Sequence, residues 1–210
     1  MRGHSLLRDD GQPVVMLSMD DSRSLCGYFG PGAVASPPTG TGSKAWFEQV
    51  ITALEKSGRS AVADFGGGDQ VLLELAREIP GLHLALQARG ITPVVLYFLG
   101  GTTEDLTLAA GLEGLGFQAE ATALVLNCAL VSNPKRDFEQ VRHQPEYQAL
   151  TGRGALEVWL PKHYAAAAVA ERKQGFVAVN SALNGFDQYR NESWLKLMPA
   201  ATARISSWLA

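Results

Sequence analysis

The chain has 210 residues, 46% hydrophobic and 19% charged, which is enough apolar side chain to bury the core of one globular domain. A formal net charge of -3 offers no polybasic surface to nucleic acid and no acidic excess of the kind that keeps a chain disordered. Cys26 and Cys128 lie beside apolar runs without CxxC or Cys/His spacing, so they read as reduced core thiols and not as a disulfide or a metal pair.

In chain order, Met1-Arg2-Gly3-His4-Ser5 is followed by only two leucines before Arg8-Asp9-Asp10. That is no signal peptide, and no apolar run reaches the roughly 20 residues that span a bilayer, so a cytoplasmic location without a membrane span is expected. A first strand is predicted at Val14–Leu17, followed by a Pro- and Gly-rich surface loop over Gly30–Gly42 and a helix over Ser43–Ser57. A second strand, Ala61–Phe65, leads to a helix over Gln70–Ile79 that continues through Leu82–Arg89 and stops at Gly90. The third strand is Pro93–Leu99. After it, Thr102-Thr103-Glu104-Asp105 brings a capping hydroxyl and early carboxylates to a helix over Thr103–Leu115, ended by Gly116.

The fourth strand is Ala121–Leu126, and the charged, Pro- and His-containing stretch Asn133–Gln148 reads as a second surface loop. A fifth strand at Leu156–Leu160 precedes a helix over Tyr164–Gln174, closed by Gly175, and a last helix over Trp194–Leu209. Short apolar strands alternating with helices imply a parallel sheet buried on both faces, hence a doubly wound α/β sandwich.

In such sheets ligands gather at the carboxyl ends of the strands. The first strand runs into Ser18-Met19-Asp20-Asp21, whose carboxylates suit a magnesium shell or an attacking water, or else cap a helix. The second ends in Asp64-Phe65-Gly66-Gly67-Gly68-Asp69. Glycines there let backbone N–H groups reach phosphate oxygens, and an aspartate beside them can serve a magnesium ion. Three glycines between two aspartates exceed what a capped turn needs.

The fourth strand ends in Asn127, able to read a base edge through its amide or simply to form a turn. The fifth ends in Pro161-Lys162-His163, where the rigid turn can flank a base and Lys162 and His163 read as solvated loop residues. Thr39-Gly40-Thr41-Gly42-Ser43-Lys44 fails as a phosphate loop, because GxxxxGK[ST] must directly follow a buried strand. No GxSxG, HExxH or CxxC occurs, and a dinucleotide fold would need GxGxxG after the first strand.

The order of these pieces resembles the ParA/MinD-like partition ATPases, deviant-Walker P-loop NTPases, and among them the divergent plasmid and mobile-element members. Val14-Val15-Met16-Leu17-Ser18-Met19-Asp20 is similar to that family's VLLxDxD segment, with Ser18 in place of its first aspartate. Ala61 to Asp69 resembles its Walker B strand and switch. Leu124-Val125-Leu126-Asn127 and Trp159-Leu160-Pro161 resemble the strands that approach adenine.

The resemblance implies a P-loop NTPase-like fold and an ATPase with ATP and magnesium as cofactors. Asp20 and Asp64 would be catalytic and metal-facing residues, and Gly66, Gly67, Asn127 and Pro161 nucleotide contacts. It further implies a homodimer acting with a partner protein in plasmid partition, mobilisation or conjugal transfer; the net charge leaves any DNA contact to be local or through a partner. The family's opening strand and KGGxGK[ST] loop have no counterpart in residues 1–13, so the chain is expected to be either shortened or a pseudo-NTPase that serves as a protein-binding module.

Overall fold

A computed structural model describes residues 14–19, 24–29, 34–38, 41–66 and 70–208. Strands and helices alternate along them: β1 (Val15–Ser18), α1 (Ser24–Phe29), α2 (Ser43–Ser57), β2 (Ala61–Asp64), α3 (Val71–Glu78), α4 (Leu82–Gln87) and β3 (Val94–Leu99). A 3-10 turn at Thr103–Leu106 opens α5 (Thr107–Gly114), which is followed by β4 (Ala121–Asn127), α6 (Pro134–Arg142), α7 (Pro145–Gly152) and β5 (Leu156–Leu160). Then come α8 (Ala166–Arg172), α9 (Gly185–Thr202) and a 3-10 turn at Ser206–Trp208. The chain folds as two compact units, one drawn from Met1–Val71 and His163–Leu195, the other from Leu72–Lys162 and Lys196–Leu209.

In the first unit β1 and β2 pair in parallel, Val15 opposite Ala61 and Ser18 opposite Asp64. Ala35 joins the far edge of β1, donating to the carbonyl of Met16 and accepting from the amide of Ser18, both at 2.9 Å. Met16, Leu17, Met19, Val34 and Phe47 are buried. The Phe47 ring meets Phe65 edge-on at 5.3 Å, which fixes α2 beside the end of β2. A second cluster in this unit gathers Val169, Val179 and Leu183 with Tyr28 and Phe176.

In the second unit β3, β4 and β5 form a parallel ladder with β4 in the middle. Ala123, Leu124 and Leu126 are fully buried, as a central strand covered on both faces requires. One face packs Ala123, Val125 and Val158 against Ile205, with Trp208 at the margin. The other carries Trp159, whose ring meets Phe138 of α6 edge-on at 5.5 Å.

All five strands fall where the apolar runs place them, and all pair in parallel, so the α/β class holds. Burial on both faces does not hold for β2 and β3. Val62 is 45% exposed and Phe98 is 57% exposed, and among the described residues β2 pairs only with β1 and β3 only with β4.

Several helices differ from expectation. The stretch Asn133–Gln148 is not a loop but α6 and the start of α7, each opened by a proline in its first turn. Proline costs nothing there, because the first N–H groups of a helix have no partner inside it. Pro80-Gly81 divides the expected continuous helix into α3 and α4, with Gly81 at φ 75°. Helix α8 is shorter than Tyr164–Gln174, ending at Lys173 in the left-handed region at φ 54°. The last helix begins at Gly185, ahead of Trp194, and ends at Thr202. Helix α1 fills a segment to which the sequence assigned none.

Candidate functional site

The acidic candidates belong to the first unit. Because β1 and β2 run in parallel and in register, Ser18 and Asp64 end side by side, with Ser18 fully buried and Asp64 half-buried. The amide of Met19 donates to the Asp64 carbonyl at 2.9 Å, which carries the pairing one residue past the ladder. A hydroxyl and a carboxylate at adjoining strand ends are hard oxygen donors of the type Mg2+ prefers. They supply only part of an octahedral shell, so water or phosphate oxygens would have to complete it. Gly66 follows, half-buried. Asp20, Gly67, Gly68 and Asp69 lie outside the described residues.

The base-facing candidates belong to the second unit. Asn127 and Leu160 are partners in the ladder, which puts Asn127 and Pro161 at neighbouring strand ends. The Asn127 Oδ1 accepts from the amide of Ala129 at 3.1 Å, so its carbonyl closes its own turn. Beside them, Leu99 leads into Gly100-Gly101-Thr102. There the Oδ2 of Asp105 accepts from the amide of Gly100 at 2.9 Å and from the amide and hydroxyl of Thr102 at 3.3 and 3.2 Å. A Cβ on Gly100 would stand 2.9 Å from that oxygen, which is why glycine occupies the position.

After β4 the pattern repeats. The Oδ2 of Asp137 accepts from the amides of Asn133 at 2.8 Å and Ser132 at 3.2 Å. The Asn133 amide is the largest of several influences that hold this carboxyl below its ordinary value. Both loops are backbone amide nests filled by the chain's own carboxylates. Sequence reasoning took Thr102 to Asp105 only as a helix start and missed Asn133 with Asp137. Asn-Pro with Asp three residues after the proline was the available signal.

Two further polar groups are drawn out of solvent at either end of β5. Glu157 on β5 accepts from Tyr147, from Trp159 Nε1 at 2.8 Å and from Arg142 Nε at 2.8 Å. Burial pushes its carboxyl up, but these donors more than offset that and hold it below its ordinary value. His163, expected in solvent, has both ring nitrogens buried without a hydrogen-bond partner. The apolar rings of Phe176 and Trp194 around it are the reason.

Protein-family models, curated protein sequences and solved structures give no match to this chain.

Among the described residues no group of three or more His, Cys, Asp and Glu side chains is placed to hold a metal, and no helix is long and apolar enough to cross a membrane. Cys26 and Cys128 are unpaired and half-buried. A cavity of about 340 Å³ opens between α8 and the start of α9, lined by Tyr164, Glu171, Arg172, Leu183 and Asp187. A smaller one of about 200 Å³ lies near Glu120, Arg153 and Trp208, at the amino ends of β4 and β5.

Proposed function

We propose that the chain is the core of a ParA/MinD-like switch ATPase, a doubly wound P-loop domain that takes ATP with Mg2+ and serves plasmid partition, mobilisation or conjugal transfer. The observation that carries this reading is the parallel, in-register pair of strand ends that sets Asp64 beside Ser18, with Gly66-Gly67-Gly68 next in the sequence. Asp64 and Asp20 would hold the magnesium ion, which screens the phosphate charge when bound. Gly66 and Gly67 would offer amides to the phosphate oxygens. Asn127 and Pro161 would flank the base, Asn127 through its Nδ2 because its Oδ1 is engaged.

Among the described residues the far edge of β2 has no neighbouring strand, which favours a further strand supplied by another segment, in cis or in trans. A phosphate loop carried by that strand would complete the nucleotide site. A homodimer and a partner protein of the partition or transfer apparatus go with this reading, as does a cytoplasmic location. DNA contact would be made locally or through the partner, since the net charge is -3.

A second reading, a pseudo-NTPase acting as a protein-binding module, is favoured by the two strand-end nests already filled by Asp105 and Asp137. Titration calorimetry with Mg-ATP separates the two. A chain completed with a hydrophobic strand and KGGxGK[ST] loop, fused or added, is expected to bind saturably, and Asp64→Ala to abolish hydrolysis with the fold retained. Absence of saturable binding by the completed chain leaves the binding module.

A further inference from the structure

The first unit contains an aromatic box built around an imidazole. The His163 ring centroid lies 4.7 Å from that of Trp194 and 5.4 Å from that of Phe176, and those two rings lie 5.1 Å apart. Phe176 also stacks on Tyr28 at 5.1 Å and meets Phe29 edge-on at 6.5 Å, so the box reaches α1. The amide of Gly175 donates to the Tyr28 carbonyl at 2.8 Å. Gly175 sits at φ 77°, and a Cβ there would come within 3.1 Å of the Phe29 ring. Helix α1 is therefore held to the chain around Phe176 by ring contacts, one backbone bond and a glycine-only approach.

The polar atoms in this box do not balance. A neutral imidazole carries one N–H and one lone pair; Asn191 is the polar side chain that acts on the ring, and neither ring nitrogen makes a hydrogen bond of normal geometry. Asn191, fully buried, donates from Nδ2 to the Phe176 carbonyl at 2.7 Å and to Asn180 Oδ1 at 3.0 Å, while its own Oδ1 has no donor. An orphaned base thus shares the box with an orphaned acceptor, and buried polar groups in such a state are uncommon in folded proteins.

Several charged groups of the neighbouring elements are engaged elsewhere. Glu192 of α9 accepts from Asn180 and Gln188, and Asp187 pairs with Arg190. Glu171 and Arg172 of α8 line the cavity by Tyr164. Tyr28 and Phe29 bring aromatic rings from α1. Among the described residues, burial lowers the basicity of His163 and Asn191 opposes it.

We propose that His163 is a proton-operated latch: as a neutral ring it completes the box that fastens α1, and on taking up a proton it leaves the box and frees α1. An imidazolium would need two acceptors where Asn191 Oδ1 offers one. The attraction of a cation for the faces of Trp194 and Phe176 is smaller than the penalty for removing an ion from water with a donor unpaired. The latch needs no nucleotide, so it stands or falls apart from the ATPase reading.

The test uses the full chain and two measurements. The His163 ring, followed by 15N NMR, is expected to titrate below 6.5, the ordinary imidazole value. Hydrogen exchange of the α1 amides, corrected for intrinsic rates, is expected to rise up to about tenfold from about pH 7.5 to about pH 5.5, because the open form binds the proton and the closed form does not. In His163→Phe that rise should vanish. A ring titrating at or above 6.5, α1 exchange that ignores pH, or an equal rise in His163→Phe overturns the proposal. If His163→Phe does not fold, the two wild-type measurements decide.

Discussion

Glu157 and His163 are both ionisable side chains drawn out of solvent at the end of the chain's strand-rich part, and the structure treats them in opposite ways. Glu157 meets three donors, from Tyr147, Trp159 and Arg142, one of them cationic. His163 meets two aromatic rings and Asn191, with no hydrogen bond of normal geometry to either ring nitrogen. A carboxylate saturated in this way stays charged and ties α6 and α7 to β5. An imidazole left unsatisfied stays neutral and makes its surroundings sensitive to protons. The difference separates a fastening from a release within one chain.

Removing the fastening should have the largest effect. Glu157→Ala leaves the Arg142 guanidinium, the Tyr147 hydroxyl and the Trp159 N–H without their shared acceptor, and should cost on the order of 3 kcal/mol in urea denaturation. Glu157→Gln keeps the shape and one acceptor oxygen and should cost about half of that. Equal stability of the Ala variant and the wild type would show that water replaces the carboxylate, and the contrast with His163 would then fail.

Acid should undo the two sites in separate windows. His163 has its basicity lowered in the folded state, so the unfolded chain binds the proton first. Stability is therefore full above 6.5 and falls as the pH drops from there to the lowered folded value, at up to 1.4 kcal/mol per pH unit. Glu157 has its folded value lowered from 4.5, so its contribution is present above 4.5 and is lost as the pH falls through that lowered value. Denaturation midpoints measured across pH should show two descents. His163→Phe removes the upper one and Glu157→Gln the lower.

How much of this was legible depended on what carries each feature. The strands were readable because parallel strands are apolar without alternation, and runs such as Val94 to Leu99 are short and rich in β-branched and aromatic residues. Gly116 marked the stop of α5 and takes positive φ, whereas α8 stops at Lys173, two residues before Gly175. The helices α6 and α7 were missed because Pro134 and Pro145 look like loop punctuation and become helix starts only through their neighbours. Asp64 comes beside Ser18 only through the parallel pairing of β1 with β2, two strands separated by α1 and α2, and no spacing announced that pairing. The box around His163 was not readable, since Tyr28, Phe176 and Trp194 are brought together by tertiary contacts that no spacing announces. A histidine next to Pro-Lys looks solvated until those rings arrive.

The smallest effect belongs to a polar group at the opposite extreme of burial. Asn133 accepts from the amide of Arg136 at 3.3 Å and donates its own amide to Asp137 at 2.8 Å, a reciprocal cap on α6 that faces solvent. Asn133→Ala removes the side-chain half and leaves the backbone half. The freed Arg136 amide can turn to water, so the loss should be about 1 kcal/mol and not the several that a buried orphan commands. Thermal unfolding of this variant at neutral pH measures it. A loss as large as that of Glu157→Ala would mean that donor count, and not access to water, sets the cost, and the distinction between the two buried sites would have to be drawn on other grounds.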